Sequence, residues 1–271
     1  MEWLSSKRPK TPVTHAVFDF DGTISTLRSG WEGIMGPFMV EMIEGDGGPD
    51  DGIRELVKNY INESAGVQTI FQMKWLAQQV KTYGRNPIPY GGPWEYKAEY
   101  NRRLMEPVTE RRRLISEGVK KPGDFMISGS ADMLETLRER GLTLYVASGT
   151  DDADVKKEAG ALGLTGYFAE IKGAPEGRED CSKEALIRGL INGSGVPGDR
   201  IAVVGDGKVE IMVGRDNGAR TLGLATDEER RGGVNPIKRE RLIKAGADAI
   251  AGDFTETEEL MEFFFGKERQ V

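Results

Sequence analysis

The stretch Val17-Phe-Asp-Phe-Asp-Gly-Thr-Ile24 decides how the rest of the chain is interpreted. It begins as an apolar run, which is typical of a strand buried in a parallel sheet, and continues into two carboxylates spaced i, i+2. Residues at that spacing project to the same side of a strand, so Asp19 and Asp21 are predicted to lie close together. Two such charges persist only where a cation holds them or one of them is protonated. Gly22 allows a tight turn beside them, with its amide free to face an anion.

The composition limits what the protein can be. The chain has 271 residues, of which 38% are hydrophobic, so it can bury a core as one large domain or two smaller ones. Its formal net charge of -7 argues against a nucleic-acid partner. No apolar run approaches the ~18 residues of a membrane span, and the N-terminal segment lacks an apolar signal region. We therefore expect a cytoplasmic protein with no membrane partner; the oligomeric state is not readable from the sequence.

Two residue counts exclude whole reaction classes. His15 is the one histidine, and it precedes the first predicted strand, so a histidine nucleophile or a Ser-His-Asp triad is not expected. Cys181 is the one cysteine, which rules out an internal disulfide and fits a reducing compartment. Arg188 lies one position too far from Cys181 for a tyrosine-phosphatase cradle. We expect structural roles for both residues.

From Pro122 onwards, strand and helix patterns alternate regularly. The predicted strands are Leu142–Ala147, Tyr167–Ile171, Ile201–Val204, Ala219–Ala225 and Ala247–Ala251. Helices are predicted between them, with Ser130, Ser182 and Asn235 as N-caps and Gly141 and Gly246 as stops. Such alternation indicates right-handed βαβ units and an α/β fold, a doubly wound parallel sheet covered on both faces.

The segment 29–121 interrupts this alternation directly after the first strand. Its helical patches are Phe38–Ile43, Ile53–Ile61, Thr69–Val80 and Glu95–Glu117, separated by loops rich in Gly, Pro and Asp. We interpret 29–121 as a mainly helical inserted cap domain, and 1–28 with 122–271 as the core.

Three predicted strands end in polar signatures. Asp19 and Asp21 end the first, Ser148 ends another, and Asp206 followed by Glu210 ends a third. The carboxyl ends of strands in a doubly wound sheet face one crevice. The sequence therefore predicts a single site built from these residues.

These signatures resemble the motifs of the haloacid dehalogenase-like (HAD) hydrolases, in the D-x-D-G-T phosphatase branch. Asp19-Phe-Asp21-Gly-Thr is similar to the first motif and Val146-Ala-Ser148-Gly to the second. Lys183 matches the third by its spacing and its place at a helix start, and Val203-Val-Gly-Asp206-Gly-Lys-Val-Glu210 is similar to the fourth. The resemblance covers the Rossmann-like core, about two-thirds of the chain.

The resemblance implies a role for each motif residue. Asp19 is expected to attack phosphorus and form an aspartyl-phosphate, and Asp21 to act as general acid and then general base. Mg²⁺ is expected to bind the Asp19 carboxylate, the Asp21 carbonyl and the Asp206 carboxylate, with Glu210 holding a ligand or a metal-bound water. The negative charge of this site supports a dication, since otherwise an anionic substrate would be repelled.

The same resemblance implies a phosphate-binding set. It comprises the Ser148 hydroxyl, the amides of Gly149, Phe20 and Asp21, and the Lys183 ammonium. Lys172, also near a strand end, is the alternative phosphate-side lysine. We prefer Lys183 because a cation at a capped helix start is disfavoured unless an anion faces it.

The predicted function is Mg²⁺-dependent hydrolysis of a small phosphorylated metabolite. A phosphomutase of the same superfamily, or a non-catalytic phospho-acceptor or binding module, remains the alternative. Substrate choice is expected to depend on the cap. Polar or aromatic residues that could face the leaving group are Arg28, Trp31, Gln68, Gln72 and Lys74.

Overall fold

The computed structural model describes residues 1–5, 9, 11–175, 177 and 182–267, so Cys181 lies outside the described residues. The chain divides into two compact units, Met1–Ser29 with Arg112–Val271 and Gly30–Arg111. The sequence placed these divisions after residues 28 and 121. In the structure the second unit ends at Arg111, ten residues before the predicted boundary. This point lies inside the helix Pro93–Ser116, whereas the prediction placed the boundary in a loop.

A seven-stranded sheet forms the centre of the first unit. Its strands are β1 (Glu2–Trp3), β2 (His15–Phe18), β3 (Thr143–Asp151), β4 (Glu170–Ala174), β5 (Ile201–Gly205), β6 (Arg220–Leu224) and β7 (Ala249–Ala251). Their order is β1-β7-β6-β5-β2-β3-β4, and every neighbouring pair is parallel except β1 with β7. The predicted doubly wound α/β fold is confirmed; the antiparallel edge strand β1 was not predicted.

Ten helices accompany the strands in the described part of the chain. Residues 32–116 hold α1 (Glu32–Glu44), α2 (Asp51–Ser64), α3 (Thr69–Tyr83) and α4 (Pro93–Ser116); the others are α5 (Ser130–Glu139), α6 (Asp152–Ala161), α7 (Lys183–Gly193), α8 (Lys208–Asp216), α9 (Pro236–Ala245) and α10 (Thr257–Phe265). None of them combines the length and the apolar composition that a membrane crossing requires.

Alternate residues of the central strands enter two different cores. Ala16 and Phe18 of β2 belong to a core that includes residues of α5 and α10, whereas Val17 packs with residues of α7 and α8. β5 divides in the same way, with Val203 on the side of Val17. Since successive strand residues point to opposite faces, helices cover both faces of this sheet.

The second unit has its own apolar core, built by α1 to α4. Phe38, Ile53, Leu76 and Tyr96, one from each helix, are completely or almost completely buried in it. The ring of Phe38 lies 6.4 Å from that of Tyr96, centroid to centroid, in a tilted arrangement. Aromatic burial of this kind is a major source of core stability.

Helix boundaries follow the predicted capping residues in most cases. Ser182 caps α7 by accepting a hydrogen bond from the Ala185 amide, and Asn235 caps α9. Gly246 ends α9 with φ 89°. The prediction for Ser130 was wrong. Gly129 occupies the N-cap position, and the Ser130 hydroxyl instead donates to the Ile127 carbonyl.

Two strand predictions also needed correction. β3 does not stop at Ala147 but continues through Ser148 to Asp151. Its register against β4 shifts between Ala147 and Asp151. β4 begins at Glu170, because Tyr167 belongs to a preceding single turn of 3-10 helix. An irregularity of this kind beside a functional region bends the strand and redirects its side chains.

Candidate active site

The acidic signatures of the first and fourth motifs meet at neighbouring strand ends. Phe18 of β2 pairs in register with Val204 of β5, and the Asp19 amide donates to the Val204 carbonyl. Asp19 and Asp206 therefore leave the sheet side by side. Glu210 stands in the first turn of α8, the helix that follows β5.

Asp19, Asp206 and Glu210 form a cluster suited to a cation. Each offers one carboxylate oxygen, and the three oxygens lie within 4.8 Å of one another. Glu210 is 1% exposed, and its Oε2 is buried without a hydrogen-bond partner among the described residues. A buried carboxylate oxygen without a partner is costly unless a cation completes it, and hard divalent cations prefer oxygen ligands. The donor set fits a divalent metal ion.

Glycines allow Glu210 to fold back onto its own loop. The Gly207 amide donates to Glu210 Oε1 at 2.9 Å. A Cβ atom on Gly205 would lie 2.3 Å from Glu210 Cγ, and one on Gly207 would lie 2.8 Å from Oε1. Only glycine at both positions leaves this space to the carboxylate.

Lys183 brings a buried cation to this cluster. Its Nζ lies 2.8 Å from Asp19 Oδ2 and 3.1 Å from Glu210 Oε1, and the residue is 4% exposed. Burial by itself lowers the pKa of Lys183, but the Asp19 and Glu210 carboxylates outweigh it and raise the pKa above its ordinary value. Lys172, the alternative, instead pairs with Glu170 at 3.1 Å.

The pKa of Asp19 is set by opposing influences. Burial raises it well above its ordinary value, the Lys183 ammonium lowers it, and the Glu210 and Asp206 carboxylates raise it further. The Phe20 amide, predicted to bond phosphoryl oxygens, donates to Asp19 Oδ1 at 2.7 Å. Burial thus disfavours ionisation of Asp19, and the Lys183 ammonium opposes this effect.

Asp21 is held by the irregular end of β3. Thr150 Oγ1 donates to Asp21 Oδ2 at 2.8 Å, and Ser148 Oγ donates to the same oxygen at 3.3 Å. The Thr150 amide in turn donates to Ser148 Oγ at 3.0 Å, and Gly149 lies between the two. Thr150 was missed by the sequence reasoning, although it directly follows the second motif.

A buried ion pair stands on the other side of Asp21. The Arg28 guanidinium binds Glu158 through Nε and Nη2, with Nη2 2.6 Å from Oε1, and its Nε lies 4.0 Å from Asp21 Oδ1. Asp154 Oδ2 lies 3.6 Å from the same Nη2. Burial raises the pKa of Glu158 to about 7, against the lowering effect of Arg28. The sequence suggested that Arg28 could face a leaving group. In the structure its guanidinium contacts three carboxylates of the first unit, those of Asp21, Asp154 and Glu158.

The other four suggested substrate-contacting residues belong to the second unit. Gln72 is buried and donates to Ser64 Oγ at 3.1 Å, and Gln68 is also buried. Lys74 Nζ lies 5.2 Å from the centre of the Phe71 ring, and Trp31 packs against the apolar core. Their suggested part in substrate choice remains a prediction.

Two cations of α9 reach the fourth motif and were not predicted. Lys238 Nζ lies 2.7 Å from Asp206 Oδ2 and 2.6 Å from Glu228 Oε1. Arg241 Nη2 donates to the Asp206 carbonyl at 3.0 Å. Burial raises the pKa of Asp206, but Lys238, Lys183 and Arg241 together bring the pKa below its ordinary value. No motif or spacing in the sequence signals this arrangement.

A family comparison agrees with this geometry. Residues 13–218 match the model of the haloacid dehalogenase-like hydrolases. The chain belongs to the haloacid dehalogenase-like hydrolase family. The prediction of a hydrolase of this family is confirmed. Members of this family generally use a divalent metal, in keeping with the acidic cluster.

Individual relatives support the fold. A 5'-nucleotidase from Pseudomonas aeruginosa is 27% identical over 99 residues, which are 36% of this chain and 45% of that protein. This chain therefore matches less than half the length of that relative. A predicted phosphatase from Clostridium acetobutylicum superposes with a TM-score of 0.60 at 17% identity, covering 93% of this chain and 100% of the other. A β-phosphoglucomutase from Clostridium difficile superposes with a TM-score of 0.61 at 14% identity, covering 93% of this chain and 97% of the other.

Proposed function

We propose that this chain is a Mg²⁺-dependent phosphatase that hydrolyses a small phosphorylated metabolite through an aspartyl-phosphate. One observation carries the proposal: Asp19 contacts the Lys183 ammonium and shares an acidic cluster with Asp206 and Glu210. A carboxylate so placed has a cation that favours its ionised form and a metal site beside it. This is the environment that a nucleophile for an anionic phosphoryl group requires.

The first half-reaction transfers the phosphoryl group to the enzyme. An oxygen of the Asp19 carboxylate attacks phosphorus, and the bond from phosphorus to the leaving oxygen breaks as Asp21 gives that oxygen a proton. In the second half-reaction the Asp21 carboxylate takes a proton from water, whose oxygen attacks phosphorus. The Asp19–phosphorus bond breaks, which releases inorganic phosphate, restores the Asp19 carboxylate and leaves Asp21 protonated for the next cycle.

The remaining residues position and neutralise the anion. Ser148 and the amides of Gly149, Phe20 and Asp21 are proposed to bond phosphoryl oxygens, and Lys183 to balance the charge on Asp19. Asp19, the Asp21 carbonyl, Asp206 and Glu210 are proposed to hold Mg²⁺, which when bound offsets the negative charge shared by the carboxylates and the phosphate.

Substrate selection is proposed to lie with the second unit, Gly30–Arg111, acting as a cap. Its position in the chain, between the first and second motifs, supports this assignment. The single cysteine supports action in the cytoplasm, a reducing compartment. A phosphomutase uses the same pair of aspartates, so only the fate of the phosphoryl group separates it from a phosphatase.

The test is phosphate release from a panel of phosphorylated sugars, polyols, nucleotides and small acids, with Mg²⁺ or with EDTA. We expect release with Mg²⁺, loss with EDTA and no detectable turnover in D19N. The matched control is D51N, the same change at a carboxylate that is 97% exposed, which should keep wild-type turnover.

Three results would contradict parts of the proposal. Wild-type turnover in D19N would remove Asp19 as the nucleophile. An isomerised phosphoester without free phosphate, seen by ³¹P NMR, would identify a phosphomutase. Metal binding with no turnover of any substrate would favour a phospho-acceptor or binding module.

A further inference from the structure

Lys238 joins a proposed metal ligand to a carboxylate that belongs to none of the four motifs. Its ammonium lies 2.7 Å from Asp206 Oδ2 and 2.6 Å from Glu228 Oε1. The three side chains are between 12% and 17% exposed. One cation is therefore shared by two carboxylates in a largely desolvated position, where charges interact more strongly than in water.

Glu228 lies next to the first motif, although it is distant from it in sequence. A Cβ atom on Gly22 would lie 3.1 Å from Glu228 Oε1 and 2.6 Å from Asp206 Oδ2. The turn after Asp21 thus packs directly against both partners of Lys238. The pair forms part of the wall of the acidic cluster.

The backbone of Asp206 is held from the same helix. Arg241 Nη2 donates to the Asp206 carbonyl at 3.0 Å, one helical turn after Lys238 on α9. Lys238 and Arg241 thus bond the side chain and the main chain of one residue. Of the two side-chain oxygens of Asp206, Lys238 contacts Oδ2.

We propose that Lys238 and Glu228 are positioning residues that set the affinity of the acidic cluster for its divalent cation. The inference rests on the proposed function for the identity of the metal site. Lys238 contacts Asp206 Oδ2, and its positive charge opposes the binding of a cation there, while the Glu228 carboxylate offsets part of that charge. Mutation of the outer partners of metal ligands typically costs about 10–100-fold in metal affinity, so contacts of this kind are strong enough to measure.

Charge sharing predicts opposite effects for the two partners. In E228Q the full charge of Lys238 acts on Asp206, so Mg²⁺ should bind about tenfold more weakly. In K238M a cation is removed beside the cluster, so the charge repulsion on Mg²⁺ falls and Mg²⁺ should bind about tenfold more tightly. The double variant E228Q/K238M removes one charge of each sign and should return to within about threefold of the wild-type affinity.

The dissociation constant of Mg²⁺ is measured by isothermal titration calorimetry on the whole chain, which needs no substrate. The matched control is K244M on the same helix, where the ammonium is 80% exposed and pairs only loosely with Glu240, at 3.8 Å. K244M should bind Mg²⁺ as the wild type does. Circular dichroism of each variant checks its fold, and the isosteric E228Q alone still tests the proposal where K238M does not fold.

Each result either supports or overturns the inference. Opposite shifts that cancel in the double variant support it. Unchanged affinities, or equal weakening in E228Q and K238M as a purely structural role predicts, overturn it and leave the proposed function standing. Failure of the wild-type protein to bind Mg²⁺ overturns both the metal assignment and this inference.

Discussion

The Lys183 ammonium lies 2.8 Å from Asp19 Oδ2, although the two residues stand far apart in the chain. Both are buried, and Lys183 also contacts Glu210. Replacing one partner of a buried ion pair leaves the other charge uncompensated, which is strongly unfavourable. The pair therefore connects the chemistry proposed for Asp19 to the stability of the site.

Loss of the Lys183 charge should remove most of the activity. In K183M nothing replaces the cation that lowers the pKa of Asp19, so this acid becomes harder to ionise. We expect kcat to fall by at least about 10²-fold, as when a charge-stabilising group is removed from an active site. Steady-state phosphate release measures the effect, and K183R should retain more activity than K183M.

Lys172 supplies the matched control for that experiment. It pairs with Glu170 and is 38% exposed in its side chain, so K172M should keep wild-type kcat. A large loss in K172M together with an active K183M would reverse the assignment of the phosphate-side lysine.

Thr150 should matter to the acid–base step. T150V keeps the shape of the side chain but removes the 2.8 Å hydrogen bond to Asp21 Oδ2. A bond to a charged acceptor contributes about 1.5–3 kcal/mol, so we expect kcat to fall about tenfold or more. The control is T136V, at a half-buried threonine of α5 whose hydroxyl donates to the Asp132 carbonyl. Unchanged kcat in T150V would show that Ser148 alone suffices to orient Asp21.

Gly22 should tolerate no side chain. Its φ is 73°, and a Cβ there would lie 2.6 Å from Asp206 Oδ2. Gly30 is the matched control, with φ 84° and no atom within 4 Å of its Cβ position. In G30A the free energy of unfolding in urea should fall only by the cost of a left-handed backbone at alanine, about 1–2 kcal/mol. In G22A it should fall further, and Mg²⁺ should also bind more weakly. Equal losses in the two variants would contradict the clash.

Glu158 should make the protein less stable as the pH rises. Its folded pKa of about 7 lies above the ordinary value of 4.5, so between these values the folded state binds more protons than the unfolded state. The stability linked to this proton is present below pH 4.5 and is lost as the pH rises through 7. At about 1.36 kcal/mol for each pKa unit, the free energy of unfolding should fall by up to about 3 kcal/mol between pH 4.5 and pH 7.

Urea unfolding of wild type and E158Q at pH 5 and pH 8 measures this effect. E158Q cannot titrate, so the difference between the two pH values should shrink relative to wild type, whatever the absolute stability of the variant. An identical pH dependence in both proteins would place the titrating group elsewhere.

Local patterns predicted most of the fold correctly. The apolar runs of β2 and β5 and the caps at Ser182 and Asn235 depend on residues that are near one another in sequence. The prediction failed where tertiary pairing decides. β3 extends past Ser148 because its neighbour β4 continues the pairing to Ala174.

The sequence by itself determined the family, the α/β class and the residues that meet at the strand ends. It could do so because parallel strands of one sheet bring their carboxyl ends to a single edge, whatever the chain does between them. Only the tertiary structure decided that Lys238 and Glu228 meet Asp206, that Thr150 holds Asp21 and that Arg28 is paired with Glu158. Those contacts depend on how separate helices and loops pack at the ångström level, which no spacing in the sequence encodes.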